Sequence, residues 1–188
     1  MTDHALRRLQ VRRAAFDDPD ASNNVLLGVD LTKEFARQGA SHADVYELGF
    51  QTSARLKSYL VLAEQVRQCR TITEGLEFRM LELAPKLEDR NCDYSIIRMN
   101  SACVVIECFE KQDVLDALRL PRFGDSHVCS LKAGTMASTT TYMGLPPSTV
   151  TEVKCVYRGD PSCIFEINFE HPAWAISRTP IVYLQGRG

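Results

Sequence analysis

The chain has 188 residues, 45% of them hydrophobic, with 22 basic and 24 acidic side chains for a formal net charge of -2. That is enough for one sizeable core, and the balanced charge gives no long-range pull toward nucleic acid or an acidic membrane surface. No run approaches the ~18 apolar residues that span a bilayer, and the N-terminus lacks an apolar signal core, so the expectation is a cytoplasmic protein without direct nucleic-acid or membrane partners.

Residues 1–28 read as a flexible N-terminal segment ending in the turn-rich DDPDASNN. A short helix is expected from about Asp30 to Gln38, with Gly39 as its stop. Ser41 is an N-cap candidate for the long helical pattern that follows, where Val45, Leu48, Leu56, Leu60, Ala63 and Val66 lie near one apolar stripe. Gly49 within it marks a close packing contact. Thr73 opens another helix, TEGLEFRMLELAPKLED, whose last turn Pro85 is expected to kink or tighten.

The pattern then changes. DYSIIRMN and ACVVIECFE are rich in β-branched and aromatic residues and are joined through Asn100-Ser101 as a hairpin. KQDVLDALRL reads as a short helix closed by Pro121, and CSLKAGTMASTTTYMG as one helix ended by Gly144, weakened by three consecutive threonines. STVTEVKCVYR and SCIFEINF alternate like strands around RGDP, a second hairpin. The predicted fold class is α+β, a single domain over residues 29–170 in which an antiparallel sheet of two hairpins carries helices on one face. Residues 171–188 lack periodicity and read as a C-terminal tail.

Seven cysteines (Cys69, Cys92, Cys103, Cys108, Cys129, Cys155 and Cys163) in a reducing compartment are buried small hydrophobes or metal ligands. A hairpin turning about Gly159 sets Cys155 opposite Cys163, with Cβ atoms ~4.5–5.5 Å apart. Two such thiolates could share a zinc, form a cross-strand disulfide, or stand as isolated core thiols. Glu152 is a nearby carboxylate, but its odd spacing from Cys155 requires a bulge before both face one way. Cys129, at a helix start that favours thiolate, is the fourth candidate.

This pattern, Cys-x22-Glu-x2-Cys-x7-Cys ending in GDPSC, resembles the 4-vinyl reductase domain family, whose members include sensor domains of transcription activators that respond to aromatic compounds. VYELGFQTSARL and VVIECFEKQDVLDAL are similar to the family's early helix and to its strand and helix before the first ligand cysteine. The resemblance covers residues 43–170 and implies a structural zinc held by Cys129, Glu152, Cys155 and Cys163. It also implies an apolar cavity between helices and sheet. Inward periodicity then nominates Tyr59, Leu60, Phe78, Met80, Leu81, Ile96, Val104, Ile106 and Cys108 as its lining, with ordinary core as the alternative for each.

The phenol sensors' histidine and tryptophan have no counterpart, since no His lies between residues 43 and 126 and the sole Trp is Trp174. The expected function is therefore a zinc-stabilised domain without catalysis of its own, binding a small hydrophobic molecule as a sensor or carrier. A homodimer and a separate output protein are the expected partners. The alternative is an enzyme or accessory protein in vinyl-tetrapyrrole reduction, and a third reading is a structural assembly subunit. No GxGxxG in a βαβ context supplies a hydride-donor site.

Overall fold

The computed structural model describes residues 32–55, 63–88, 92–111 and 127–170. The N-terminal segment, most of the predicted KQDVLDALRL helix, the C-terminal tail, and Tyr59 and Leu60 lie outside the described residues. Residues 32–37 are helical and stop at Gly39, whose φ of +85° is a left-handed conformation that glycine adopts without strain. Helix α1 (His42–Arg55) begins at a reciprocal cap. The Asp44 amide donates to Ser41 Oγ at 3.2 Å, and the Ser41 amide donates to Asp44 Oδ2 at 2.8 Å.

Helix α2 (Ile72–Glu77) starts earlier than the sequence suggests. Thr71 is its N-cap and accepts from the Glu74 amide, so Thr73 already sits inside the helix. The chain continues directly into a π-helical stretch, Phe78–Glu88. In place of the kink or tightened turn expected at Pro85, the backbone takes a wider, π-helical turn.

Strands β1 (Cys92–Met99) and β2 (Cys103–Glu110) form the first hairpin. Asn100 Oδ1 closes its turn by accepting from the amides of Ala102 (2.9 Å) and Cys103 (2.8 Å). Helix α3 (His127–Ala137) and the short α4 (Thr139–Tyr142) divide what the sequence presents as one helix. At the break, Ser138 Oγ donates to Thr135 O (2.7 Å) and Thr139 Oγ1 to Met136 O (2.7 Å), hydroxyl back-bonds that bend a helix. Strands β3 (Thr149–Lys154) and β4 (Cys163–Asn168) complete the sheet. Its order is β1-β2-β4-β3 and every pairing is antiparallel. The predicted α+β architecture, two hairpins in one sheet with helices packed against it, is the observed one.

The inner face of the sheet follows from register. Val104 lies opposite Ile167, Ile106 opposite Phe165, and Cys108 opposite Cys163, all fully or nearly fully buried. Ile72, Leu76, Met80, Ala133 and Met136 from the helices pack into the same core. Helices α1 and α3 cross with their backbones nearly touching. A Cβ added to Gly134 would collide with Tyr46 O and come within 2.9 Å of Phe50 N. One added to Gly49 would collide with Leu131 O. The close contact predicted at Gly49 therefore exists and is matched by a glycine on the partner helix. Beside it, the buried Arg79 guanidinium reaches Thr139 Oγ1 (2.6 Å) and Ser53 Oγ (3.0 Å) and lies over the Tyr142 ring. Among the described residues, no helix is long and apolar enough to cross a membrane.

Candidate metal centre

Each of four side chains reaches one point by a different local device. Cys129 is the third residue of α3, in its first turn. Glu152 lies on β3 opposite Phe165, hence on the inner face. Register then shifts between Glu152 and Lys154, and Lys154 pairs with Ile164. The extra residue, Val153, is the bulge that the Glu152–Cys155 spacing demands, and it leaves its own side chain exposed. Beyond it Cys155 comes back to the inner face, across from Cys163 at the start of β4.

The connecting turn is more elaborate than a simple hairpin. Cys155 is extended and precedes a 3-10 turn, Val156–Arg158, that ends at Gly159 with φ of +95°. Asp160 Oδ2 accepts from the Cys155 amide at 2.8 Å, and Cys155 O accepts from the amides of Arg158 (2.9 Å) and Asp160 (3.1 Å). The Gly-Asp-Pro sequence thus fixes the Cys155 backbone from both sides. The Val156 amide donates to Cys163 Sγ at 3.4 Å, and the Tyr157 amide to the Cys155 thiol, contacts that favour thiolates.

One ligand atom from each of Cys129, Glu152, Cys155 and Cys163 lies within 4.8 Å of all the others. Cys129 Sγ stands 3.6 Å from Cys155 Sγ and 3.7 Å from Cys163 Sγ, too far for a disulfide, and the three thiols are buried and free. Glu152 Oε2 pairs with Arg158 Nη1 at 3.1 Å, while Oε1 is buried with no hydrogen-bond partner. A buried carboxylate oxygen without a donor, facing three thiols, is the arrangement a cation would complete.

The protonation behaviour points the same way. Hydrogen bonds from Cys129 and then Cys163 pull the Cys155 thiol down to about 2. Cys129, which donates to Cys155, is pushed up. Cys163 stands at about 12: its bond with Cys129 lowers it, and Cys155 and burial more than offset that. Burial lifts Glu152 to about 7, against the pull of Cys129 and Arg158. Burial and the Cys155 thiolate oppose ionisation of Cys129, Cys163 and Glu152 in one small volume, and a divalent cation would relieve that repulsion.

The sequence-predicted pocket residues are distributed differently. Met80, Val104, Ile106 and Cys108 belong to the packed core, with Phe78 and Ile96 packed against it and Leu81 half-buried. A cleft of about 490 Å³ opens elsewhere, between α1, α3 and β3, with Tyr46 and Ala133 on its walls and Cys129 and Glu152 at its base. None of the described nominated residues lines it. His127 stacks on His42 with ring centroids 4.0 Å apart, and its Nε2 lies 3.3 Å from Ala40 O. Arg158 and Asp160, which position the cluster, escaped the sequence reading; the only available signal was their place inside the RGDP turn.

No family model and no curated protein matches the chain. Among solved structures, one H-NOX structure, from work on heme distortion in that family, aligns over 95% of this chain and 89% of its own at 12% identity, with a TM-score of 0.50. A Cs H-NOX mutant with 4-cyano-L-phenylalanine at site 5 covers 92% and 88% at 12% identity, also at 0.50. The likeness is one of fold. The phenol-responsive sensory domain of the transcription activator PoxR, with phenol, overlaps 76% of this chain and 72% of its own at 21% identity and a TM-score of 0.48.

Proposed function

We propose that this chain is a ligand-binding domain of the 4-vinyl reductase type, built around a structural zinc and acting as a sensor or carrier of a small hydrophobic molecule. The supporting observation is the cage itself: three buried thiols and an orphaned carboxylate oxygen, all within 4.8 Å, on the motif Cys-x22-Glu-x2-Cys-x7-Cys. Cys129, Glu152, Cys155 and Cys163 are the ligands. A zinc there would have four protein ligands and would contribute folding energy by tying α3 to the β3–β4 turn. Asp160 and the Val156 and Tyr157 amides hold the thiolates in place.

The ligand site proposed is the apolar interface of helices and sheet, around Phe78, Met80, Leu81, Ile96, Val104, Ile106 and Cys108, with Tyr59 and Leu60. The domain acts without catalysis of its own, as a homodimer in the cytoplasm, and passes its signal to a separate output protein. The H-NOX likeness contributes the architecture to this reading and no ligand.

Native mass spectrometry of protein purified from its own host tests it. The expected spectrum carries one metal and one apolar small molecule per chain. Metal-loaded protein that never carries a small molecule, even when offered panels of apolar compounds, would contradict the sensor or carrier role. A bound tetrapyrrole would favour pigment chemistry instead.

A further inference from the structure

A second sulfur cluster lies beside the cage, where Cys108 on β2 is the register partner of Cys163. Lys132, one turn beyond Cys129, is half-buried, and its Nζ contacts Cys92 Sγ on β1 at 2.9 Å. The same nitrogen lies 3.7 Å from Cys108 Sγ on β2. Both sulfurs are inside the core, Cys92 at 0% and Cys108 at 1% exposure. Register explains the convergence: Tyr94 lies opposite Cys108, and Cys92, two residues before Tyr94, faces the same way. Cys92 and Cys108 are therefore diagonal rather than direct neighbours, with backbones roughly 7–8 Å apart, too far for an unstrained disulfide. The amine sits between them.

An ammonium beside a thiol favours the thiolate, the form that oxidants attack. We propose that Cys92 and Lys132 are a redox modification site, joined on oxidation through one bridging oxygen as Sγ–O–Nζ. Dioxygen, a small apolar molecule able to enter a core, is the oxidant. Starting from thiolate and ammonium, sulfur and nitrogen each give up two electrons, and dioxygen accepts all four. One of its atoms forms the S–O and O–N bonds. The other leaves as water with two of the ammonium protons. The reverse step consumes two dithiols, each oxidised to its disulfide: their four electrons and four protons restore the thiol and the amine and release the bridging oxygen as water. A separation of 2.9 Å leaves room for one bridging atom and nothing larger. The link staples α3 to β1, the edge strand on the opposite side of the sheet from β3.

Peptide mapping of the full chain without prior reduction, prepared under air and under nitrogen, tests the site. In the aerobic sample, the peptides containing Cys92 and Lys132 are expected as one species. Its mass is their sum plus one oxygen less two hydrogens, and trypsin no longer cuts after Lys132. Dithiothreitol separates them, and the species is absent under nitrogen and in Cys92→Ser or Lys132→Arg. Recovery of the two peptides separately after aerobic or peroxide treatment would overturn the proposal, as would Cys92 joined to Cys108. The wild-type measurement decides the matter even where a variant fails to fold.

Discussion

Replacing Gly134 by Ala should destabilise the protein, against the usual rule for helices. In an ordinary helix interior Gly→Ala gains roughly 1 kcal/mol from propensity alone. Here the new methyl meets two backbone atoms of α1. Tyr46 O is in hard collision, and Phe50 N, at 2.9 Å, is already about 0.6 Å inside the ~3.5 Å of comfortable contact. Neither can rotate aside as a side chain could, so α1 and α3 must separate. Overpacking of this kind costs typically 1–3 kcal/mol, and a clash with fixed backbone belongs at the upper end. Roughly 3 kcal/mol lost against roughly 1 gained leaves a net cost near 2 kcal/mol. For a chain of this size that is a fall of about 4–8 °C in Tm. Gly144→Ala is the control: its φ is +76° and nothing lies within 4 Å, so it should lose only ~1 kcal/mol from left-handed strain. Thermal and urea unfolding of both variants, at fixed metal load, gives the comparison. A Gly134→Ala protein as stable as wild type would refute the reasoning, because it would mean that α1 and α3 do not meet at these two glycines.

The remaining expectations concern the cage. Cys155→Ser should abolish metal binding and remove the stability that metal confers, about 4 kcal/mol when free zinc exceeds its Kd a thousandfold; unfolding with and without chelator should then coincide for the variant and differ for wild type. Glu152→Gln carries a pH signature in the metal-free chain. Glu152 is raised from 4.5 to about 7, so its contribution is fully present below pH 4.5 and is lost as pH rises through about 7. Wild type should therefore lose stability relative to Glu152→Gln across that window, and parallel pH profiles would show that the carboxyl is not buried. With metal bound the sense reverses, because protons then compete with the metal for the same ligands.

How much of this was legible in the sequence depends on whether a residue's task is local. The Ser41 cap, the Gly39 stop, the Asn100 turn and the two hairpins follow from neighbours in the chain, and they fall where the residues indicate. The Val153 bulge could be inferred because Glu152 and Cys155 differ by an odd number, which no flat strand reconciles on one face. The start of α2 was misplaced because Thr71 and Thr73 are equivalent as cap candidates; only the geometry of the Glu74 amide distinguishes them. The π-helical stretch and the break at Ser138 depend on hydroxyls and carbonyls competing within a turn, a balance that residue types alone do not decide. The Lys132 contacts and the Arg158–Glu152 pair join different elements, so no spacing rule could have announced them.

The central claim is that the four side chains form a metal cage, and the most direct measurement is elemental analysis of freshly purified protein never exposed to chelator. The account predicts one zinc per folded chain, lost in Cys155→Ser. A folded, stable wild-type protein containing no metal and taking up none when zinc is added would contradict it.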